Sequence, residues 1–199
     1  FIPDVEKIVS LLSPMRTTLL FSATMPKEIR RLADKFLSNP KEISVSAPAS
    51  TADTITQGLI KLKSAGRAPG AAQKVKRDTL RKLIRAQDHL TNALVFCNRK
   101  RDVDVVYRSL EKHGFSAARL HGDMVQSVRT ETLDKFKKND VTILVCSDVA
   151  ARGLDISTVS HVFNFDVPTH AEDYVHRIGR TGRAGRKGAA FTLMMPEEK

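Results

Sequence analysis

The chain has 199 residues, 41% of them apolar, which is enough to bury a core and excludes a disordered basic tail. It carries 33 basic and 22 acidic side chains, a formal net charge of +11. No apolar run is long enough to span a bilayer, no N-terminal stretch resembles a signal peptide, and there are only two cysteines. We therefore expect a cytoplasmic protein whose thiols, Cys97 and Cys146, are free and buried at the ends of apolar runs.

The positive charge is concentrated in the second part of the chain. Residues 1–56 hold 7 basic and 6 acidic residues, whereas residues 57–199 hold 26 and 16. A domain with this much positive charge commonly binds a polyanion, and nucleic acid is the first candidate. On charge alone, a merely well-solvated surface is an equally good interpretation.

The N-terminal stretch alternates helix and strand signals. Apolar residues at helical spacing predict helices over 4–12 and 26–37, and short β-rich runs predict strands at 17–21 and 43–45. About 45 residues are too few for an independent core. Residues 1–45 therefore have the pattern of the end of a larger domain, which would either pack on the rest of the chain or exchange between two copies.

A linker and a longer α/β alternation follow. The small, polar composition of residues 46–56 is typical of a linker, and residues 57–199 form the predicted second domain. Its predicted strands cover 56–62, 93–97, 117–120, 142–146, 159–165 and 189–194, with helices over 74–86, 100–113, 127–138 and 171–177. Strands that are apolar on both faces predict a doubly wound parallel sheet with helices on both sides. Ligands are expected at the carboxyl ends of its strands.

The most unusual segment is HRIGRTGRAGRKG, residues 176–188. Glycine recurs every third residue from Gly179 to Gly188, and arginines at 180, 183 and 186 follow the same period. Four triplets are too few for a collagen-like helix. Because glycine admits a close ligand and arginine offers a charged planar fork, the segment predicts a phosphate-contacting loop.

Two further polar clusters follow predicted strands. SDVAARGLD occupies 147–155 and LHGDMVQSVR occupies 120–129. Each is placed to contact a ligand at the edge of the sheet. For 147–155 the alternative is a helix cap at Ser147 or Asp148 and a structural turn at Gly153. Residues 120–129 also enter a helix, whose N-terminus suits anions. The chain has no GxxxxGK[ST] phosphate loop and no metal-binding spacing of acids, cysteines or histidines.

Taken in order, these segments resemble the DEAD-box ATP-dependent RNA helicases, most closely the bacterial members. Residues 22–24 (SAT) resemble motif III, 94–98 motif IV and 126–129 its QxxR extension. Residues 147–155 resemble motif V, with Ser147 where threonine is usual, and 176–183 match motif VI, HRxGRxxR. The resemblance covers nearly the whole chain and implies a RecA-like domain preceded by the tail of a second one. The Q motif, phosphate loop and DEAD sequence are absent, which implies a segment of a longer protein that is inactive alone.

The resemblance also implies roles for individual residues. Arg180 and Arg183 would be catalytic arginine fingers on the γ-phosphate of ATP, and Asp155 would contact its ribose. ATP and Mg²⁺ would be held mainly by the other domain. The residues implied to line the RNA path are Gly122, Gln126, Arg129, Ser147 and Arg152. The residues implied to couple the two domains are Ser22, Thr24, His176 and Arg177.

The expected partners are single-stranded or duplex RNA, bound without sequence preference, and the N-terminal RecA-like domain of the same protein. Two alternatives stay open: an RNA-binding module that acts without ATP, and a DNA-directed helicase of the same superfamily. The basic helix over 74–86 is interpreted first as a solvated face, with an auxiliary RNA-binding surface as the less favoured alternative.

Overall fold

The computed structural model describes residues 2–22, 25–44, 53–63, 66, 68–151, 156, 159–183 and 185–198. The chain divides into two units, Phe1–Ala47 and Pro48–Lys199. The predicted domain limits of 1–45, 46–56 and 57–199 stay a prediction, since much of the linker lies outside the described residues. Within the described part, no helix is both long and apolar enough to cross a membrane.

The first unit contains two amphipathic helices, α1 (Ile2–Ser10) and α2 (Lys27–Phe36), neither of which has a fully buried residue. The strands predicted at 17–21 and 43–45 are not found: residues 17–21 and 43–44 are irregular, and residue 45 lies outside the described part. A strand exists only through hydrogen bonds to a neighbouring strand. The described residues of this unit supply no neighbouring strand. A β-rich composition alone is therefore not sufficient to predict a strand here.

The second unit is built on a six-stranded parallel sheet, which confirms the predicted α/β fold. Its strands are β1 (Ile55–Lys61), β2 (Ala93–Cys97), β3 (Ala117–Leu120), β4 (Ile143–Ser147), β5 (His161–Asn164) and β6 (Gly188–Met194). Their order across the sheet is β1-β6-β5-β2-β4-β3. The helices are α3 (Ala71–Arg85), α4 (Lys100–Lys112), α5 (Gln126–Lys137), α6 (Asp148–Ala151) and α7 (Ala171–Ile178). The short helix α6 and a 3₁₀ turn at Pro196–Glu198 were not predicted.

Helices cover both faces of the sheet. Strand β2 shows the arrangement, because all five of its residues are buried and alternate between two apolar cores. Leu94 and Phe96 pack in the core that α5, α6 and α7 cover, while Ala93, Val95 and Cys97 pack in the core that α3 and α4 cover. This doubly covered sheet explains why the strands read as continuous apolar runs.

Both cysteines are buried free thiols, as predicted. Burial raises the pKa of Cys146 to about 12 and also raises the pKa of Cys97. Neither thiol is therefore poised for nucleophilic chemistry at neutral pH.

A buried lysine joins α3 to the carboxyl end of the sheet. Lys76 is 1% exposed, and its Nζ lies 3.2 Å from Asp166 Oδ1 and also bonds the carboxylate of Glu198 in the C-terminal turn. The other carboxylate oxygen of Asp166 accepts a hydrogen bond from the backbone N–H of Asn98 at 3.0 Å. The burial of one cation and one anion is thus compensated by direct pairing, which holds three distant chain segments together.

Replacing Lys76 by methionine tests this pairing, since the apolar stem is retained and only the charge is removed. We expect the Lys76→Met chain to lose about 3 kcal/mol of unfolding free energy, because Asp166 would be left as a buried anion without its cation. The measurement is denaturant unfolding followed by circular dichroism. Lys74→Met, two residues away and exposed, is the control and should change stability by less than about 0.5 kcal/mol. Equal stability of both variants would contradict the pairing.

Candidate functional site

A fully buried arginine lies at the centre of the site. Arg177, in the last turn of α7, is 2% exposed, and its Nε and Nη2 donate to the two carboxylate oxygens of Asp148 at 2.7 and 2.6 Å. Nη2 also donates to Asn98 Oδ1 at 2.6 Å, and Nη1 donates to the carbonyl of Asp166 at 2.9 Å. The guanidinium lies over the ring of Phe96, 5.3 Å from its centroid. One side chain therefore fixes the ends of three neighbouring strands, β2, β4 and β5.

All these contacts of Arg177 lie within the second unit. Its two-pronged pairing with Asp148 uses the geometry that favours arginine over lysine at such positions. The predicted role of Arg177 in coupling the two domains stays a prediction, but the residue also has a structural role that the sequence did not reveal. Asp148 is 29 residues away in the chain, and nothing in the motif spacing identifies it as the partner.

A shallow cleft adjoins this arginine. The residues that line it come from β2, α6, α7 and the turn after α7: Phe96, Asp148, Ala151, Asp173, His176, Arg177 and Arg180. His176 is exposed on α7, one residue before the buried arginine. Arg180 is half-buried, and this burial, together with the nearby charge of Arg183, lowers its pKa from the ordinary value. Arginine nevertheless stays charged at neutral pH, so the cleft presents a fixed cation.

Arg183 is the more accessible of the two predicted finger residues. Its side chain is exposed, its Nε donates to the carbonyl of Gly179, and it makes no ion pair with any residue that the structure describes. The charges of Arg180 and Arg183 are close enough to disfavour each other. An anion bound between or beside two guanidinium groups would relieve that repulsion.

The glycines of this segment serve packing rather than ligand approach at two positions. Gly182 has a positive φ of 69°, and a Cβ there would lie 2.4 Å from Ile55 Cγ1. A Cβ on Gly188 would lie 2.0 Å from Thr181 Oγ1 and 2.7 Å from the backbone N of Gly182. The loop is therefore pressed against the start of β1, which requires the absence of side chains.

Hydrogen bonds hold the same loop to the residue before β1. The Thr54 hydroxyl donates to the carbonyl of Gly182 at 2.7 Å, and the Thr54 carbonyl accepts from the N–H of Gly188 at 3.0 Å. The buried Thr181 hydroxyl donates to the carbonyl of Val159 at 2.6 Å. The arginine loop is thus attached to the amino ends of β1 and β6, not to the carboxyl ends where ligands were expected.

Four of the five residues predicted to line the RNA path lie close to where β3 and β4 end. Ser147 is the buried last residue of β4, and Gly122 and Gln126 are exposed in the turn after β3 and at the start of α5. Arg129 is half-buried, and its Nε has no hydrogen-bond partner among the described residues. A Cβ on Gly122 would meet nothing within 4 Å, so the fold itself does not require glycine there.

The roles of four other predicted residues stay predictions. Thr24, Arg152 and Asp155 lie outside the described residues. Ser22 is exposed in the first unit, so its predicted coupling to His176 stays a prediction. Within the described ranges, no group of three or more acidic, histidine or cysteine side chains could hold a metal ion.

Comparison with known proteins identifies the class. Residues 75–185 match the helicase conserved C-terminal domain. This match covers more than half of the chain, which therefore belongs to that family, and the resemblance to DEAD-box helicases is confirmed.

The relatives are DEAD-box proteins from bacteria and yeast. The DEAD-box ATP-dependent RNA helicase CshA of Bacillus licheniformis is 45% identical over all 199 residues, which correspond to 39% of its own length. The structure of S. cerevisiae Dbp5 bound to RNA and ADP BeF3 superposes with a TM-score of 0.82 at 31% identity, over 97% of this chain and 49% of that one. E. coli SrmB, bound to regulator of ribonuclease activity A, gives 0.62 at 37% identity, over 71% and 78%. The chain spans about two fifths of the curated relatives it matches.

The two kinds of glycine can be separated by alanine substitution. Gly188→Ala should cost about 2 kcal/mol of unfolding free energy, because the new methyl group overlaps Thr181 and a backbone nitrogen that cannot move away. Gly122→Ala should leave stability unchanged, since its Cβ would lie in open space. Denaturant unfolding of both variants is the measurement. A stable Gly188→Ala chain would show that the loop is not packed as described.

The attachment of the loop through Thr54 gives a second prediction. Thr54→Val keeps the shape but leaves the Gly182 carbonyl without its donor, which should cost about 1 to 2 kcal/mol. Hydrogen exchange of the 182–188 amides should accelerate in this variant, while Thr54→Ser, which keeps the hydroxyl, should resemble the parent chain. Identical exchange in Thr54→Val and the parent would contradict the attachment.

Proposed function

We propose that the whole protein is an ATP-dependent RNA helicase, of which this chain supplies the arginine fingers and part of the RNA path. The observation that carries the proposal is the pair Arg180 and Arg183 on a loop that packing and hydrogen bonds hold in place. The chain has arginines that can bind phosphate but no phosphate loop, so a second domain is needed to hold the triphosphate. The CshA relatives are named ATP-dependent RNA helicases, which supports the proposed activity.

In the proposed mechanism, the two RecA-like domains close over ATP and bring the fingers to the γ-phosphate. Arg180 and Arg183 would stabilise the negative charge that develops on the transferred phosphoryl group, an effect worth about 10³ to 10⁵ in rate for such fingers. The phosphate loop and Mg²⁺ are assigned to the N-terminal domain. Asp155 is proposed to contact the ribose, and His176 to link the domains near Ser22 and Thr24.

The RNA path is proposed to follow the carboxyl ends of β3 and β4. Gly122 leaves space for a close backbone approach, and the side chains that would contact the sugar-phosphate chain are Gln126, Arg129, Ser147 and Arg152. Phosphate contacts position a strand without reading its sequence, and contacts to the 2′-hydroxyl distinguish RNA from DNA. Domain closure would bend the bound strand and open a short duplex locally. The similarity to Dbp5, whose structure contains RNA and ADP BeF3, supports this assignment.

The segment by itself is proposed to be inactive and able to exchange residues 1–45 between two copies. The exposed apolar side chains of the first unit, such as Leu11 and Phe21, motivate this exchange. Light scattering of the segment at rising concentration measures it, and a monomer throughout would contradict it.

The arginine assignment is tested by RNA-stimulated ATP hydrolysis of the full-length protein. Arg183→Gln removes a positioned cation and Arg180→Lys replaces the planar guanidinium by a shorter-reaching point charge, so each should lower kcat by about 10³-fold. Arg186→Gln is the matched control, since Arg186 is exposed in the same loop and its loss changes the net charge equally. We expect it to stay within about threefold of the parent.

Three results would contradict the proposal. Full activity of Arg183→Gln would remove the finger assignment, and ATP-independent strand separation would favour a binding module. Stimulation by single-stranded DNA equal to that by RNA would favour a DNA-directed helicase.

A further inference from the structure

A basic surface on the opposite side of the sheet from α7 has no part in the mechanism above. Helix α3 carries six basic residues and one acidic residue. Lys74, Arg77, Arg81 and Arg85 recur at spacings of three, four and four, which places them on one side of the helix. The helix is packed through Leu80 and Ile84. Lys74 and Arg85 at the two ends of the row are exposed, whereas Arg81 is half-buried and donates to Asp78 and Ser109.

The acidic side chains of α3 and α4 offset only part of the charge of this surface. Asp78 pairs with Arg81, Asp102 with Arg101, and Asp104 with Arg119 on β3. Glu111 accepts a hydrogen bond from Tyr107 and keeps its negative charge. Apart from Arg85, which bonds a backbone carbonyl, five cations of the two helices form no ion pair with any residue that the structure describes. We call them the α3–α4 basic face: Lys74, Arg77, Lys82, Arg108 and Lys112.

The position of α3 connects this face to the edge where the RNA path is proposed. Helix α3 follows β1, so it begins at the carboxyl edge of the sheet, and near its start Lys76 bonds Asp166, just beyond β5. At its other end, Arg85 donates to the carbonyl of His113 at 3.2 Å and lies over the Phe115 ring, close to where β3 begins. The twelve residues from Lys74 to Arg85 extend about 16 Å down the side of the domain.

We propose that the α3–α4 basic face binds the phosphates of an RNA segment that extends beyond the carboxyl edge. This inference rests on the proposed function, to which it adds a second contact region. A duplex arm presents a regular series of phosphates along each strand, so a face of this length meets several of them. Such contacts add affinity without adding sequence preference.

The composition of the face favours RNA over an acidic protein. Protein interfaces have apolar or aromatic centres. In α3 and α4, all of whose residues the structure describes, Val105 is the one exposed large apolar side chain. Evenly spaced cations without an apolar centre fit a repeating polyanion better than a folded partner.

The test uses the full-length helicase and two RNA probes. One is a short single strand that occupies only the carboxyl edge, and the other adds a duplex arm to that strand. The variant Lys74→Gln/Arg77→Gln/Lys82→Gln removes three charges from the face. The matched control, Lys135→Gln/Lys137→Gln/Lys138→Gln, removes three charges at the end of α5, on the other side of the sheet.

We call the probe with the duplex arm the armed RNA. For the α3 variant, we expect the Kd for the armed RNA to rise about tenfold or more. The slope of log Kd against log[salt] should also become smaller by about 2 to 3. Its Kd for the short strand, and kcat with saturating short strand, should equal those of the parent. The α5 control should bind both probes within about twofold of the parent.

The proposal is overturned if the α3 variant binds the armed RNA as the parent does, the result expected of a face for an acidic protein. It is also overturned if the α5 control loses as much affinity, because a diffuse field would then explain the effect. Failure of the proposed function gives a different result, because the parent would then show no RNA-stimulated ATP hydrolysis. The comparison of armed-RNA binding between the parent and the α3 variant would still test the α3–α4 basic face.

Discussion

The burial of Arg177 is the constraint on which the rest of the second unit depends. A guanidinium that is 2% exposed is tolerable only when its donors are satisfied, and Asp148, Asn98 and the Asp166 carbonyl satisfy them. These partners terminate three adjacent strands, so the electrostatic requirement of one side chain also sets where the strands stop. Asp166 extends the network to Lys76 and thereby to α3. The cleft and the basic face are therefore attached to a single polar centre.

This organisation separates side chains that hold the domain from those available to a ligand. Arg177 and Arg180 are three residues apart, yet the first is enclosed by carboxylate and carbonyl oxygens and the second borders an open cleft. On α3, Lys76 is paired inside while Lys74 and Arg77, its near neighbours, have no anionic partner among the described residues. Residue type alone does not distinguish these roles; burial does.

The sequence was sufficient for the parallel sheet, because apolar runs such as 93–97 can be buried on both faces only in such a fold. It was insufficient for residues 17–21, whose β-rich composition has no neighbouring strand to pair with in the described part of the first unit. Motif VI could be located from its spacing. The glycines of residues 176–188 suggest close approach of a ligand, whereas Gly182 and Gly188 are required by packing within the domain. The pairing of Arg177 with Asp148 depends on tertiary geometry, which spacing along the chain does not encode.

The attachment of the arginine loop to Thr54 has a consequence for the energetics of domain closure. Both hydrogen bonds and the glycine packing that shape the loop lie inside the second unit, so its conformation is set before any partner domain arrives. In the proposed mechanism, closure then has to align the two domains, and it does not have to order this loop as well. Fixing the backbone of each residue costs about 1 to 2 kcal/mol in conformational entropy. A loop that is already ordered therefore lowers the free-energy cost of the proposed closure. The loop loses this entropy during folding, when Thr54 bonds Gly182 and Gly188.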